Sequence, residues 1–113
     1  MQSSEEGEGP MVTVVKLTAL FGHSEDPEAF EEYYANQHLP LAAKIPNVQR
    51  FESGRVSALD GCRPPYHRIV ELWFGSAEQM GEALSSPEGE AATVDLSNFA
   101  TGGVMFFVSE VEA

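Results

Sequence analysis

Two apolar runs bracket this chain and limit what it can fold into. MVTVVKLTALF (11–21) and TGGVMFFVSEV (101–111) are rich in β-branched and large apolar residues, and neither alternates cleanly between apolar and polar. In the first run, Val12, Val14 and Leu20 fall on one face of an extended chain, and Val15, Leu17 and Phe21 on the other. A strand with apolar side chains on both faces belongs inside a layered fold, covered on each side. Both ends of the domain therefore enter the sheet, as strands one and four.

The intervening segments supply the rest of the layer. In GHSEDP, Asp26 is placed to cap a helix, Pro27 suits its first position, and Glu28 favours the positive end of the helix dipole. The spacing predicts a first helix from Pro27 to about Lys44, closed by IPN, and a second strand, VQRFESGRVSA, near 48–58. LDGCRPP reads as a loop and YHRIVELWF (66–74) as strand three. Ser76 with Gln79 makes a capping box for a second helix, and Ser86-Pro87 opens another short helix through about Asn98. The order βαββαβ predicts an α+β, ferredoxin-like domain: a four-stranded antiparallel sheet with its helices on one face. Two layers of helix cannot cover all the apolar residues of strands one and four. A second sheet is expected on the open face, most simply that of an identical chain, giving a homodimer through the sheet faces.

Composition narrows the function classes. At 113 residues the chain has the length of one domain. MQSSEEGEGP (1–10) is expected to be a disordered acidic tail, with residues 11–113 as the single domain. A net charge of −12, with only six scattered Lys and Arg, argues against a nucleic-acid partner. No apolar run approaches the roughly 20 residues of a membrane span. The polar, acidic start is unlike a secretory signal or an Arg-rich transit peptide, so a soluble, cytoplasmic protein is expected. Cys62 is the one cysteine, which excludes an intrachain disulfide and a cysteine-based zinc site. It reads as an ordinary loop residue.

The residues that can carry chemistry cluster in FEEYYANQHLPLA (30–42). On a helix, Phe30, Tyr34, His38 and Leu41 are linked by steps of four, four and three, so they share a stripe. Tyr33, Gln37 and Leu41 form a neighbouring row, while Glu31, Glu32 and Ala35 read as the solvated face. Pro40 has no N–H, so the helix bends or restarts there and the Asn36 carbonyl loses its partner. An imidazole, which titrates near neutral pH, and a tyrosine hydroxyl thus gather within about one turn, which suits proton transfer. From periodicity alone, the reading of His38 as a core histidine bonded to a backbone carbonyl is the stronger of the two. On strand three, alternation places His67, Ile69, Glu71 and Trp73 on one face, making His67–Glu71 a candidate dyad or ion pair. His23, in a loop beside acids, reads as solvent-exposed. The three histidines lack any short ligand spacing, so no metal site is expected.

FEEYYANQHLPL resembles the signature of EthD-like proteins, within the dimeric α+β barrel superfamily, through Phe30, Tyr33, Tyr34, His38, Pro40 and Leu41. The resemblance continues in ELWFGSAEQM (71–80) and SPEGEAATVDLSNF (86–99), covering roughly residues 12–110. It implies a ferredoxin-like protomer that dimerises through its sheets, with a small-ligand cleft between sheet and helices. It also implies an acid/base role for His38. Many members carry a tyrosine on strand two where this chain has Phe51, so a mechanism through that tyrosine does not carry over. The wider relatives include lactone isomerases, polyketide cyclases, cofactor-free oxygenases and haem proteins.

The resulting expectation is proton-transfer chemistry, of isomerase, cyclase or cofactor-free oxygenase type, on a small apolar or aromatic organic compound. His38 and Tyr34 are the catalytic candidates, with Phe30, Leu41, Trp73 and Phe99 forming the substrate pocket. No cofactor is expected. The alternatives are a non-catalytic ligand-binding or accessory protein of the same fold, and a haem protein with a histidine as axial ligand.

Overall fold

The computed structural model describes residues 13–112. The acidic tail (1–10) and the start of the expected first strand lie outside them. The elements run β1 (Val15–Phe21), α1 (Pro27–Tyr33), a π-helical turn (Tyr34–His38), α2 (Leu39–Ala42), β2 (Val48–Arg55), β3 (Arg68–Phe74), α3 (Ala77–Ser85), α4 (Pro87–Asp95), a 3-10 turn (Leu96–Asn98) and β4 (Val104–Glu110). The strands form one sheet in the order β2-β3-β1-β4, every neighbouring pair antiparallel. This is the α+β, ferredoxin-like arrangement expected from βαββαβ.

The helix starts follow from their capping residues. Asp26 accepts a hydrogen bond from the Ala29 N–H, Ser76 from that of Gln79 and Ser86 from that of Gly89, each satisfying a donor the first helical turn leaves open. Pro27 and Pro87 occupy first-turn positions, where no N–H is needed.

One sheet face packs on the helices. Val15, Leu17, Ala19 and Phe21 of β1 and Val70, Leu72 and Phe74 of β3 are buried there with Phe30, Tyr34, Ala83 and Phe99. Phe21 and Phe74 are almost wholly enclosed, and each contributes on the order of 2–3 kcal/mol by burial. The register puts Lys16, Thr18 and Leu20 of β1, and Ile69, Glu71 and Trp73 of β3, on the opposite, helix-free face.

Within the single chain, strand four is not covered by the helices on either side. The helices lie over the two central strands, and β4 is an edge whose Met105, Phe106, Phe107 and Val108 are all exposed in the single chain. The edge is anchored at its start by a close backbone approach. The Gly22 N–H donates to the Gly103 carbonyl at 2.9 Å, and a Cβ on Gly22 would lie 2.2 Å from the Gly102 oxygen. No helix among the described residues is long and apolar enough to cross a membrane.

Candidate active site

Pro40 reshapes the first helix where the candidate residues sit. With no N–H at Pro40, the helix widens instead of breaking. The Leu39 N–H donates to the carbonyl of Tyr34, five residues back, and the α-helix resumes as α2. Four-residue steps drift around a regular α-helix, but the wider turn absorbs that drift. Phe30, Tyr34, His38 and Ala42 therefore form one buried row. Leu41, placed on this stripe by regular periodicity, is displaced from it, and instead borders a shallow outer depression with Pro87 and Val94.

His38 is 7 % exposed and held from one side. Its Nδ1 lies 3.0 Å from Oδ2 of Asp95, at the end of α4. Asp95 also accepts from the Tyr33 hydroxyl at 2.6 Å and from the Asn98 amide at 3.0 Å, both on Oδ1. Burial opposes ionisation of Asp95, but the hydrogen bonds from Tyr33, Asn98 and His38 together outweigh it and hold the carboxyl below its ordinary range. An ionised carboxylate only accepts, so Nδ1 carries the hydrogen and neutral His38 has an unprotonated Nε2. Nε2 has no hydrogen-bond partner among the described residues.

That ring lines a cavity of about 70 Å³ between sheet and helices, otherwise walled mainly by apolar residues such as Leu17, Val70, Leu72 and Leu96. Phe51 and Phe106, both substantially exposed, border it from the two edge strands. Tyr34 lines the same cavity, its ring centroid 6.0 Å from that of His38. Its hydroxyl is 2.7 Å from Ser53 Oγ on β2, and Arg68 Nη1 donates to the same Oγ at 2.7 Å. The guanidinium lies 4.6 Å from the Tyr34 ring centroid and is anchored by Glu31, which accepts from Nη2 at 2.5 Å and Nε at 3.1 Å. Burial raises the Tyr34 hydroxyl above its ordinary range against smaller opposing pulls from Ser53 and Arg68. It is a neutral donor at working pH.

The remaining sequence-predicted residues divide. Phe99 packs against His38, ring centroids 4.7 Å apart, and Phe30 stacks on Tyr34 at 6.3 Å. Both are buried, and both face a larger, open groove of about 640 Å³ bordered also by His23, Asp26, Tyr33 and Asn98. Trp73 does not join His38. It lies on the helix-free sheet face, between the side chains of Lys16 and Arg50.

Three further sequence expectations are corrected. His67 precedes β3, escapes its alternation and turns to the helix side, where Nε2 pairs with Glu31 at 2.7 Å; Glu71 pairs instead with Lys16 at 3.0 Å. Glu31 is consequently not on the solvated face. His23 is half-buried, with Nε2 2.7 Å from the Pro64 carbonyl. Among the described residues, no group of three or more His, Cys, Asp or Glu side chains is arranged to hold a metal ion.

Sequence reasoning missed Asp95, Asn98, Ser53 and Arg68 as polar partners of the site. For the first two a signal existed in DLSNF (95–99), where Asp and Asn stand three apart ahead of a buried aromatic.

The model of the EthD domain matches residues 22–103, which span the helix carrying His38, the Asp95 turn and all of β2 and β3. The chain belongs to the EthD family. It is 43 % identical over 96 residues to an uncharacterized 11.0 kDa protein of the thcB-thcC intergenic region of Rhodococcus erythropolis, covering 84 % of this chain and 93 % of that one. A crystal structure of an EthD-family protein from Bacillus halodurans superposes with a TM-score of 0.82 at 30 % identity, covering 88 % and 99 % of the two chains. A dimeric ferredoxin-like protein of unknown function from Thermobifida fusca shares the fold (TM-score 0.70, 15 % identity, 96 % and 100 % covered). So do a hydroxynitrile lyase from Passiflora edulis (0.72, 11 %, 90 % and 96 %) and SnoaB, a cofactor-independent oxygenase from Streptomyces nogalater (0.63, 16 %, 91 % and 96 %).

Proposed function

We propose that this EthD protein performs proton-transfer chemistry on a small, mostly apolar organic compound, with Nε2 of His38 as the general base. The observation that carries the reading is the 3.0 Å contact of Nδ1 with a buried, ionised Asp95 while the ring lines an apolar cavity. Asp95 fixes the tautomer, opposes rotation of the ring and stabilises the imidazolium formed when Nε2 takes a proton. The apolar walls exclude water and strengthen each polar interaction inside. At about 70 Å³ the cavity is smaller than a six-membered ring with substituents, so a ligand of that size requires its exposed border residues Phe51 and Phe106 to move aside. Chemistry of isomerase, cyclase or cofactor-free oxygenase type suits this arrangement. The lyase and the oxygenase of the same fold support it as neighbours whose reactions are within the fold's reach.

The reading is cofactor-free. Removing and returning a proton at carbon calls only on groups already present around the cavity, the His38 imidazole and its Asp95 partner. We further propose a cytoplasmic homodimer joined through the helix-free sheet faces. Met105 and Phe107 are about half exposed there, on the same face as Leu20, Ile69 and Trp73, and the Thermobifida fusca relative is described as dimeric.

The test is deuterium incorporation from D2O into small lactones and aryl ketones, followed by NMR and beginning with α-angelica lactone, whose isomerisation also changes its ultraviolet absorption. Wild-type protein should exchange the activated C–H faster than buffer, and His38→Gln should lose the acceleration with its circular dichroism unchanged. Tight binding with no exchange favours a non-catalytic carrier. Exchange that survives His38→Gln removes His38 from the chemistry.

A further inference from the structure

A hydrogen-bonded chain from Arg68 through Ser53 ends on Tyr34, which lines the cavity, and its hydrogen count has a direct consequence. Arginine only donates, so Ser53 Oγ accepts from Nη1. Ser53 has one hydrogen of its own, and the 2.7 Å contact with Tyr34 can run in either direction. Accepting a hydrogen bond from a cation makes an oxygen a poorer second acceptor and its own O–H a better donor. The cooperative arrangement therefore runs Arg68 to Ser53 to Tyr34. In it the Tyr34 hydrogen has no partner among the described residues, on a side chain that lines the cavity together with His38.

We infer that Tyr34 donates a hydrogen bond to an oxygen of the ligand, polarised through Ser53 by the Arg68 guanidinium. This deepens the proposed function and rests on it for the reaction, though not for the binding. It names the ligand class: compounds with a carbonyl whose adjacent carbon, or whose vinylogous γ carbon, bears an acidic C–H, such as ketones, lactones and phenols in their keto forms. In the proton transfer, Nε2 of His38 takes the C–H proton, the C–H electron pair becomes the enolate double bond, and the carbonyl π pair moves onto the oxygen facing Tyr34. Returning the proton to the α carbon restores the carbonyl and the base with exchange of the hydrogen; in a β,γ-unsaturated compound, returning it instead to the γ carbon restores both and moves the double bond into conjugation. Burial favours the protonated Tyr34 hydroxyl, which is what a donor requires. Ser53 and Arg68 are positioning residues, acting through Tyr34.

The probe is 4-nitrophenol, whose visible absorption separates the bound phenolate from the bound phenol. Wild-type protein should bind the phenolate in preference, lowering the apparent pKa of the bound probe. Tyr34→Phe should weaken phenolate binding about tenfold, the value of one hydrogen bond to a charged oxygen, while binding of the neutral phenol changes by less than about twofold. Ser53→Ala, a mild change at an exposed strand position, should weaken phenolate binding several-fold because the link to Arg68 is cut. If Ser53 merely accepted from Tyr34, the same variant would free the tyrosine hydrogen and strengthen phenolate binding, overturning the inference. No phenolate preference in the wild type, or an unchanged one in Tyr34→Phe, also overturns it. Repeating the Tyr34→Phe comparison in a His38→Gln background separates the two readings. A tyrosine-dependent preference that persists there stands whether or not His38 proves to be the base.

Discussion

Removing Asp95 should cost more stability than its place at the end of a short helix suggests. The carboxylate accepts hydrogen bonds from Tyr33, Asn98 and His38 at 2.6, 3.0 and 3.0 Å and is 7 % exposed. In Asp95→Ala, Asn98 is exposed and Tyr33 only half-buried, so both re-pair with water at little cost. His38 cannot: whichever ring nitrogen carries the hydrogen once Asp95 is gone, the N–H is buried with no acceptor among the described residues, a loss of about 1–3 kcal/mol, and losing the charge-assisted bonds raises the total to roughly 2–4 kcal/mol. Part of the gross energy is returned because a desolvated charge disappears, which is why the three bonds do not simply add. Urea denaturation at fixed protein concentration measures the loss directly, and the thermal midpoint should fall by roughly 10–20 °C. The pH dependence has a definite sign. A carboxyl whose folded value is depressed contributes above its unfolded value, near 4, and loses that contribution as the pH falls through the lower folded one. The gap between wild type and Asp95→Ala should therefore narrow on acidification below about pH 4. A stability loss under about 0.5 kcal/mol, or a gap that widens in acid, would refute the reasoning that Asp95 is an ionised anchor for His38.

Other parts of the account are open to separate checks. Pro40→Ala restores an N–H and with it the option of a regular helix, so the Phe30–Tyr34–His38–Ala42 row should lose its alignment; the proposed deuterium exchange should fall while helical circular dichroism stays or rises. Gly89→Ala would place a Cβ 2.2 Å from the Ala83 carbonyl where α4 leaves α3, so a loss of about 1–3 kcal/mol in denaturant is expected. Phe107→Asp puts a charge on the helix-free sheet face, and light scattering after size exclusion should show a dimer for wild type and a monomer for the variant.

The sequence carries local features well. The caps at Asp26, Ser76 and Ser86 were readable because each acts within three residues. The Phe30, Tyr34, His38 spacing was readable because it spans two turns of one helix. Leu41 was misplaced because the hydrogen bond that changes the turn, from Leu39 to Tyr34, is a response to Pro40 that regular periodicity does not contain. Trp73 was misplaced because alternation separates the two faces of a strand without saying which meets the helices. The unbroken apolar set Val70, Leu72, Phe74, charged only at Arg68 where the strand starts, was the available clue against the set with Glu71 in its middle. Asp95 lies 57 residues from His38, and on a short helix of weak amphipathicity the DLSNF text hints at a polar pair without naming His38 as its partner. Shorter separations, 19 residues from Tyr34 to Ser53 and 15 from Ser53 to Arg68, hide the Arg68–Ser53–Tyr34 chain as well, because it forms only when β2, β3 and the π-helical turn are assembled.

The central claim is that Asp95 holds His38 with its hydrogen on Nδ1, leaving Nε2 as a base at the cavity wall. Nitrogen-15 NMR of imidazole-labelled protein, with His38 assigned by comparison with His38→Gln, reads this tautomer directly. The account predicts a protonated Nδ1 and an unprotonated Nε2 in the neutral ring, with the preference lost in Asp95→Ala. A neutral His38 carrying its hydrogen on Nε2 would contradict it.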